Sequence, residues 1–165
     1  VQLDCKAASW QVINDDVMGG LSLSAVERRG PALVFRGQLS LENNGGFAST
    51  RCSIGQPLAD IDGFRLTVRG DGRQYQFRLR SDASLEGIAW RADFATDGSM
   101  QVIELPLGAF VPVWRGREVE QAGSLDAAQI RLLGFMLADR RAGPFRLEVH
   151  GIEALGAERP PVSRA

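Results

Sequence analysis

The 165-residue sequence holds one histidine, one lysine and two cysteines. With His150 alone, a Ser-His-Asp triad or a histidine-bearing metal site has a single imidazole to draw on. Strand alternation puts that histidine beside Arg146 and Glu148 on a polar face, where a solvated side chain is the plainer reading. There is no GxSxG, no HExxH, no Walker loop and no GxGxxG opening a helix. Paired carboxylates such as Asp15-Asp16 point apart as chain neighbours, and nothing gives them the divergent pKa values of an acid and a base. Catalysis is not expected, and neither is a cofactor.

An excess of one charge is missing too. Nineteen basic residues, eighteen of them arginine, face twenty acidic ones for a net charge of −1. No basic surplus exists to neutralise a phosphate backbone, which argues against nucleic acid as a partner. The longest nearly pure apolar run, Leu132 to Ala138, is about a third of what a membrane helix needs, so no membrane span is expected. The sequence opens at Val1 without an initiator Met or an apolar leader. It is expected to be a processed or trimmed form, or a piece cut from a longer chain, whose targeting segment, if any, lies outside it. No Asn-x-Ser/Thr acceptor is present to report on the compartment.

Cys5 and Cys52 are too far apart for a CxxC redox motif or a metal site. In an oxidising compartment their pairing would close a loop and contribute about 4 kcal/mol in the chain-entropy model. In a reducing one they would stay thiols. Both states remain open.

What the sequence does have is glycine, nineteen of them, set among short segments that alternate with period two. Phe64, Leu66 and Val68 alternate with Arg65, Thr67 and Arg69. After Gly70-Asp71-Gly72-Arg73, Tyr75, Phe77 and Leu79 alternate with Gln74, Gln76, Arg78 and Arg80. The pair reads as a β-hairpin. Ile88 to Ala95 repeats the pattern, and Asp97-Gly98 leads into Met100 to Leu107. Further strands are expected over Leu21 to Val26, Ala32 to Leu41, Phe47 to Cys52, Gln129 to Leu137 and Phe145 to Ile152. The Gln129 to Leu137 segment is apolar on both faces and should lie centrally. Ser124 to Ala128 fits one capped turn. About nine short strands with turn signals every ten residues or so argue an all-β sandwich of the jelly-roll kind. It is expected over residues 1–155, with a loose tail over 156–165.

Three groups of residues are candidates for binding. The densest polar cluster, Trp10 to Ser22, includes Asn14, Asp15 and Asp16, whose oxygens could hold calcium, although the spacing is not that of an EF-hand and a structural loop is the plainer reading. If the strand phases are right, Arg65, Arg69, Gln76, Arg78, Arg80 and Arg91 share one polar sheet face. That face is either solvated and screened by Asp93 or a surface for a protein or an anionic ligand. Trp10 and Trp114, near loops, are the only rings left over as sugar platforms. Arg69-Gly70-Asp71 matches a receptor-recognition tripeptide, but its glycine already has a turn to serve.

Several of these residues fall within longer stretches that are familiar. Trp10-Gln-Val-Ile-Asn-Asp-Asp-Val-Met-Gly-Gly-Leu-Ser resembles the opening signature of the complex I intermediate-associated protein 30 family. The series continues through Phe35-Arg-Gly-Gln-Leu-Ser, Asn43-Asn-Gly-Gly-Phe-Ala-Ser-Thr-Arg51 and Gly63 to Arg73. Tyr75 to Arg80, Ile103 to Leu107, Leu133 to Met136 and Gly143 to Glu148 complete it. The resemblance implies a galactose-binding-like β-sandwich without a catalytic constellation. It also implies an assembly chaperone acting through protein contacts, as mitochondrial members do on intermediates of respiratory complex I; most bacterial members have no assigned role. The family motif maps onto Asn14, Asp15, Asp16, Gly19, Gly20, Ser22, Asn44, Gly45, Gly46 and Arg51. The expected partner is therefore a protein, with complex I subunits as the leading case and a glycan as the alternative. The expected binding residues are Asn14, Asp15, Asp16, Ser22, Asn44, Arg51, Arg78 and Arg80. A bacterial cytoplasm is slightly favoured over a periplasm or a mitochondrion.

Overall fold

The computed structural model describes residues 3, 10–14, 20–42, 46–54, 57–81, 87–114, 117–119, 123 and 125–156. Among them are twelve strands: β1 (Gln11–Asn14), β2 (Leu23–Arg29), β3 (Ala32–Leu39), β4 (Ala48–Ser53), β5 (Ile61–Arg69), β6 (Gln74–Arg80), β7 (Ala89–Ala95), β8 (Met100–Pro106), β9 (Val111–Trp114), β10 (Arg117–Glu118), β11 (Leu132–Leu137) and β12 (Gly143–Gly156). They build two antiparallel sheets. One has the order β1-β4-β11-β6-β7-β9-β10 and the other β2-β3-β12-β5-β8. No helix among the described residues is long and apolar enough to cross a membrane.

The alternation decides which side of each strand is buried. Tyr75, Phe77 and Leu79 of β6, Ala92 and Phe94 of β7, and Phe135 of β11 meet Phe64, Leu66 and Val68 of β5 and Phe145 and Leu147 of β12 in one apolar core. Rings interlock across it: Phe77 lies 5.3 Å from both Phe64 and Phe135, in edge-on and tilted contacts. As its two-sided apolarity predicts, β11 sits inside its sheet, between β4 and β6. In β12 the inward set changes from Phe145, Leu147 and Val149 to Ile152 and Ala154. A register shift between Val149 and Gly151 absorbs the change of parity. One extra residue keeps both halves facing inward.

The expected β5–β6 hairpin is not there. β5 pairs with β12 and β8, whereas β6 pairs with β11 and β7, so the turn between them carries the chain from one sheet to the other. Phe64 and Phe77 meet edge-on across the interior instead of lying side by side in one sheet. Period-two alternation is the same for strands that pair and for strands that stack, so the pattern cannot tell them apart. The connection is tied down instead. Gly72 has φ of +92°. The Asp71 carboxylate accepts hydrogen bonds from the backbone N–H of Arg73 at 3.2 Å and of Arg146 at 2.7 Å, and from Tyr75 Oη at 3.0 Å. Burial pushes the Tyr75 phenol pKa far up, and the adjacent Asp71 charge adds to the effect. Arg73 makes a buried two-pronged pair with Asp139 at 3.0 and 3.2 Å and donates to the carbonyls of Gly143 and Pro144. The carboxylate of the Arg69-Gly70-Asp71 tripeptide is thus engaged in holding this turn.

Other boundaries shift. The segment expected from Gln129 begins as a 3-10 turn, Ala127–Gln129, capped by Asp126 Oδ1 on the Ala128 N–H, and its strand starts at Leu132. β1, β9 and β10 were not expected as strands; each is four residues or fewer and is defined by its neighbour in the sheet. Of the two states left open for cysteine, buried Cys52 is in the disulfide-bonded one. Cys5, the other cysteine of the sequence, lies outside the described residues, as does the expected tail beyond Gly156.

Candidate functional site

The outer face of the seven-stranded sheet is set by what its strands bury. Thr50 and Cys52 of β4, Leu133 and Phe135 of β11, Phe77 and Leu79 of β6, and Trp90 and Ala92 of β7 all point into the sandwich. Their neighbours along each strand must point out. The register then lines up Gln11, Arg51, Gly134, Arg78, Arg91 and Val111 as one row across β1, β4, β11, β6, β7 and β9. A parallel row on one side carries Arg80, and the row on the other side holds Ser49, Met136, Gln76 and Asp93.

Neighbouring strands lie about 4.8 Å apart, so Arg78 and Arg91 stand roughly 5 Å apart at the backbone and Arg51 and Arg78 roughly 10 Å apart across Gly134. Gly134 leaves no side chain between them, and none fits. An added Cβ would run into the Thr50 carbonyl oxygen and sit 3.0 Å from Arg51 Cα.

Four guanidinium groups share these rows with two carboxylates among the described residues, Asp93 and, on the edge strand, Glu118. Arg78 is the most enclosed. Its Nη1 donates to Gln76 Oε1 at 2.8 Å and lies 3.1 Å from Met136 Sδ. Burial, then the Arg80 and Arg91 charges, push its pKa down to about 10, with Asp93 opposing. Arg80 Nη1 donates to the Gly87 carbonyl at 3.1 Å. Arg91 Nε is 3.3 Å from Asp93 Oδ1, near enough for an ion pair but not aligned for a hydrogen bond, so this buried nitrogen has no hydrogen-bond partner. Arg51 Nε and Nη1 are likewise buried with no acceptor among the described residues. Unmatched buried donors cost about 1–3 kcal/mol each, more when charged.

The expected site residues separate. Arg51 joins Arg78 and Arg80 on this face and does not belong to a cluster with Asn14. Asn14 turns the other way: it is buried and its Oδ1 accepts from Ser24 Oγ at 2.7 Å, fastening β1 of one sheet to β2 of the other. Ser22 is buried too, its Oγ donating to the Ser40 carbonyl and accepting from the Ser40 N–H. Both are fastenings of the fold. Asp15, Asp16 and Asn44 lie outside the described residues.

Arg65 and Arg69 are also reassigned. Being on β5, they belong to the five-stranded sheet and face the opposite way, with Arg65 bound to Glu104 at 3.0 Å. The same misread hairpin caused both errors. Trp10 is no sugar platform: it is buried and stacks on Phe135 at 6.0 Å. Trp114 is 46% exposed, but its parity along β9 puts it with the inward set, off the arginine row. Gly134, Met136 and Ser49 escaped the sequence reading. Alternation along β4 could have turned Ser49 and Arg51 outward; only the sheet order puts them beside Arg78.

His150, half-buried, has Nε2 3.2 Å from Glu148 Oε1 on the five-stranded side. Among the described residues no three His, Cys, Asp or Glu side chains converge as a metal site would need. A shallow depression of about 630 Å³ opens beside Leu21, Gln38 and Glu42, away from the arginines.

A family model described as complex I intermediate-associated protein 30 matches residues 2–149. An uncharacterised protein of Schizosaccharomyces pombe is 25% identical over 174 residues, spanning 92% of this chain and 80% of that protein. A Caenorhabditis elegans protein, named as a probable mitochondrial complex I intermediate-associated protein 30, is 32% identical over 90 residues. That match spans 51% of this chain and 26% of the worm protein. Among solved structures, a family 11 carbohydrate-binding module of Clostridium thermocellum, in complex with a β-1,3-1,4-mixed-linked tetrasaccharide, superposes with a TM-score of 0.70 at 18% identity, covering 94% of this chain and 95% of that one. An exo-β-agarase superposes with a TM-score of 0.57 at 12% identity, over 96% of this chain and 24% of the enzyme. At such identities the likeness establishes the fold, a galactose-binding-like β-sandwich, and leaves function to the site.

Proposed function

The chain belongs to the complex I intermediate-associated protein 30 family, and from that premise we propose that it is a non-enzymatic binding module, an assembly chaperone that works through protein–protein contacts. Subunits of respiratory complex I are its leading partners. The binding surface is the outer face of the seven-stranded sheet, with Arg51, Arg78, Arg80 and Arg91 as its working residues. Arginine suits this role because its planar fork pairs with carboxylates in two bonds and is common at protein interfaces. The observation that carries the reading is the crowding of four arginines in neighbouring rows of one sheet face with two carboxylates among the described residues.

The test is a crosslinked affinity pull-down of the tagged protein from its host, read by mass spectrometry, with wild type beside a variant carrying Arg78→Glu and Arg80→Glu. Wild type should enrich complex I subunits or assembly intermediates. The charge-reversed protein should lose them while keeping its thermal unfolding transition. Equal capture by both would remove this face from consideration.

The alternative is a carbohydrate-binding module using the sheet face or the loop ends, and it draws on the likeness to the family 11 module. Against it stands the placement of the rings, since sugars are commonly held on exposed aromatic faces and Trp10 is buried in the core. Saturable quenching of Trp114 fluorescence by an oligosaccharide would favour this alternative; silence across a broad glycan panel would retire it.

A further inference from the structure

The arginine row also specifies what kind of segment it would hold. Arg51, Arg78 and Arg91 lie on one line across four strands, with Gly134 as the flat position between the first two. The N–H groups of Arg51 Nε and Nη1 and of Arg91 Nε are withdrawn from water without acceptors in the described chain. Asp93, the nearest carboxylate, is misaligned for Arg91 Nε. The guanidinium groups are only part-buried as wholes, and with Arg80 they crowd rows that hold two carboxylates among the described residues, Asp93 and Glu118, so the group that complements them is a further carboxylate.

We propose that the row Arg51–Arg78–Arg91 seats an acidic segment of the protein partner, running across the strands, with its Asp or Glu carboxylates against the part-exposed guanidinium groups of Arg51 and Arg91. The inference rests on the reading of this face as a protein-binding surface. Three features support an acidic peptide over other anions. An extended peptide places every second side chain on one face, about 7 Å apart, within reach of long arginines roughly 5 and 10 Å apart along the row. Met136 offers the segment a polarisable, adaptable contact beside the charges. The rows carry no aromatic ring among the described residues on which an acidic sugar could stack.

The probe is a blocked peptide of alternating Glu and Ser, titrated into the whole protein at low salt and followed by calorimetry. An otherwise identical Gln-Ser peptide and an oligogalacturonide serve as comparisons. Wild type should bind the Glu peptide saturably and the Gln peptide at least about tenfold more weakly, with affinity falling as salt rises. Arg51→Met and Arg91→Gln should each weaken the Glu peptide by about tenfold or more. Arg51→Met removes two buried nitrogens that have no acceptor among the described residues, so its Tm should equal or exceed that of wild type, which excludes misfolding as the cause of lost binding. Arg36→Gln, on the other sheet and paired to Glu27, should bind as wild type does.

Equal affinity for the Glu and Gln peptides, or full binding by Arg51→Met, overturns the proposal. Tighter binding of the oligogalacturonide than of the peptide overturns it in favour of an acidic glycan. If the peptide fails while the Arg78→Glu, Arg80→Glu variant still loses its partner in the pull-down, the acidic segment falls and the protein-binding face stands. If both fail, both fall.

Discussion

The two outer faces of the sandwich are made from the same residue types and treat arginine in opposite ways. On the five-stranded sheet the arginines are paired with acids: Arg36 with Glu27 at 2.7 Å, Arg65 with Glu104 at 3.0 Å and Glu153 at 3.8 Å, and Arg146 with Glu148 at 3.3 Å. On the seven-stranded sheet, Arg51, Arg78, Arg80 and Arg91 crowd together with few acids, and Arg78 is pushed to a pKa of about 10 by burial and by its neighbours. Net charge does not distinguish the faces, because the chain as a whole is balanced at −1. The lesson is that distribution matters more than total. Screened, paired arginines are a solvated surface worth little in energy, whereas arginines crowded with few acids are the surface on which the proposed binding rests.

The comparison breaks most readily at Gly134. Gly134→Ala forces a Cβ against the Thr50 carbonyl, and the overpacking should cost about 1–3 kcal/mol in denaturant unfolding. If the variant is as stable as wild type, the β4–β11 approach is looser than described and Arg51 is not fixed beside the row. A smaller effect is expected on the other face. A double-mutant cycle on Arg65 and Glu104, using Arg65→Gln and Glu104→Gln, should return a coupling of about 0.2–1 kcal/mol that declines with salt. A coupling well above this range would mean that the five-stranded face is not merely solvated.

The smallest effect is in pH. The hydrogen bond from His150 holds the Glu148 carboxyl below its ordinary 4.5; burial opposes it, and the hydrogen bond from Arg146 adds to the lowering. A carboxyl lowered in the folded state contributes stability above its unfolded pKa and loses it as pH falls through the folded value. Urea midpoints taken from about pH 6 down to pH 3 should therefore drop less steeply in Glu148→Gln than in wild type. Parallel curves would show that the pairing on this face has no thermodynamic weight.

Much of the fold could be read from the residues. Phe64 to Arg69, Gln74 to Arg80 and Ile88 to Ala95 announce their strands and inward rings by alternation, and the apolar Leu132 to Leu137 announces a central position. The candidate site was only half legible. Arg78, Arg80 and Arg91 were placed on one face correctly, because β6 and β7 are sequential and truly paired. Arg65 and Arg69 were added to them wrongly, because β5 looked like the other arm of a hairpin. Asn14 and Ser22 looked like ligand contacts in a polar motif, yet their oxygens are occupied by Ser24 and Ser40. A hydrogen-bonding side chain reads the same in sequence whether it serves a ligand or fastens two strands.

The sequence by itself determined which side of each strand is buried, where turns fall and that the chain carries arginine on its polar faces, because these follow from local alternation and turn chemistry. Only the tertiary structure decided which polar sides share a surface. Strand order is set by long-range pairing, in which β4, β11 and β6 come together from residues 48–53, 132–137 and 74–80. That assembly brings Arg51 into line with Arg78 and Arg91 and withdraws Nε and Nη1 of Arg51 and Nε of Arg91 from water. No local pattern encodes it, since every strand's alternation is equally satisfied in either sheet.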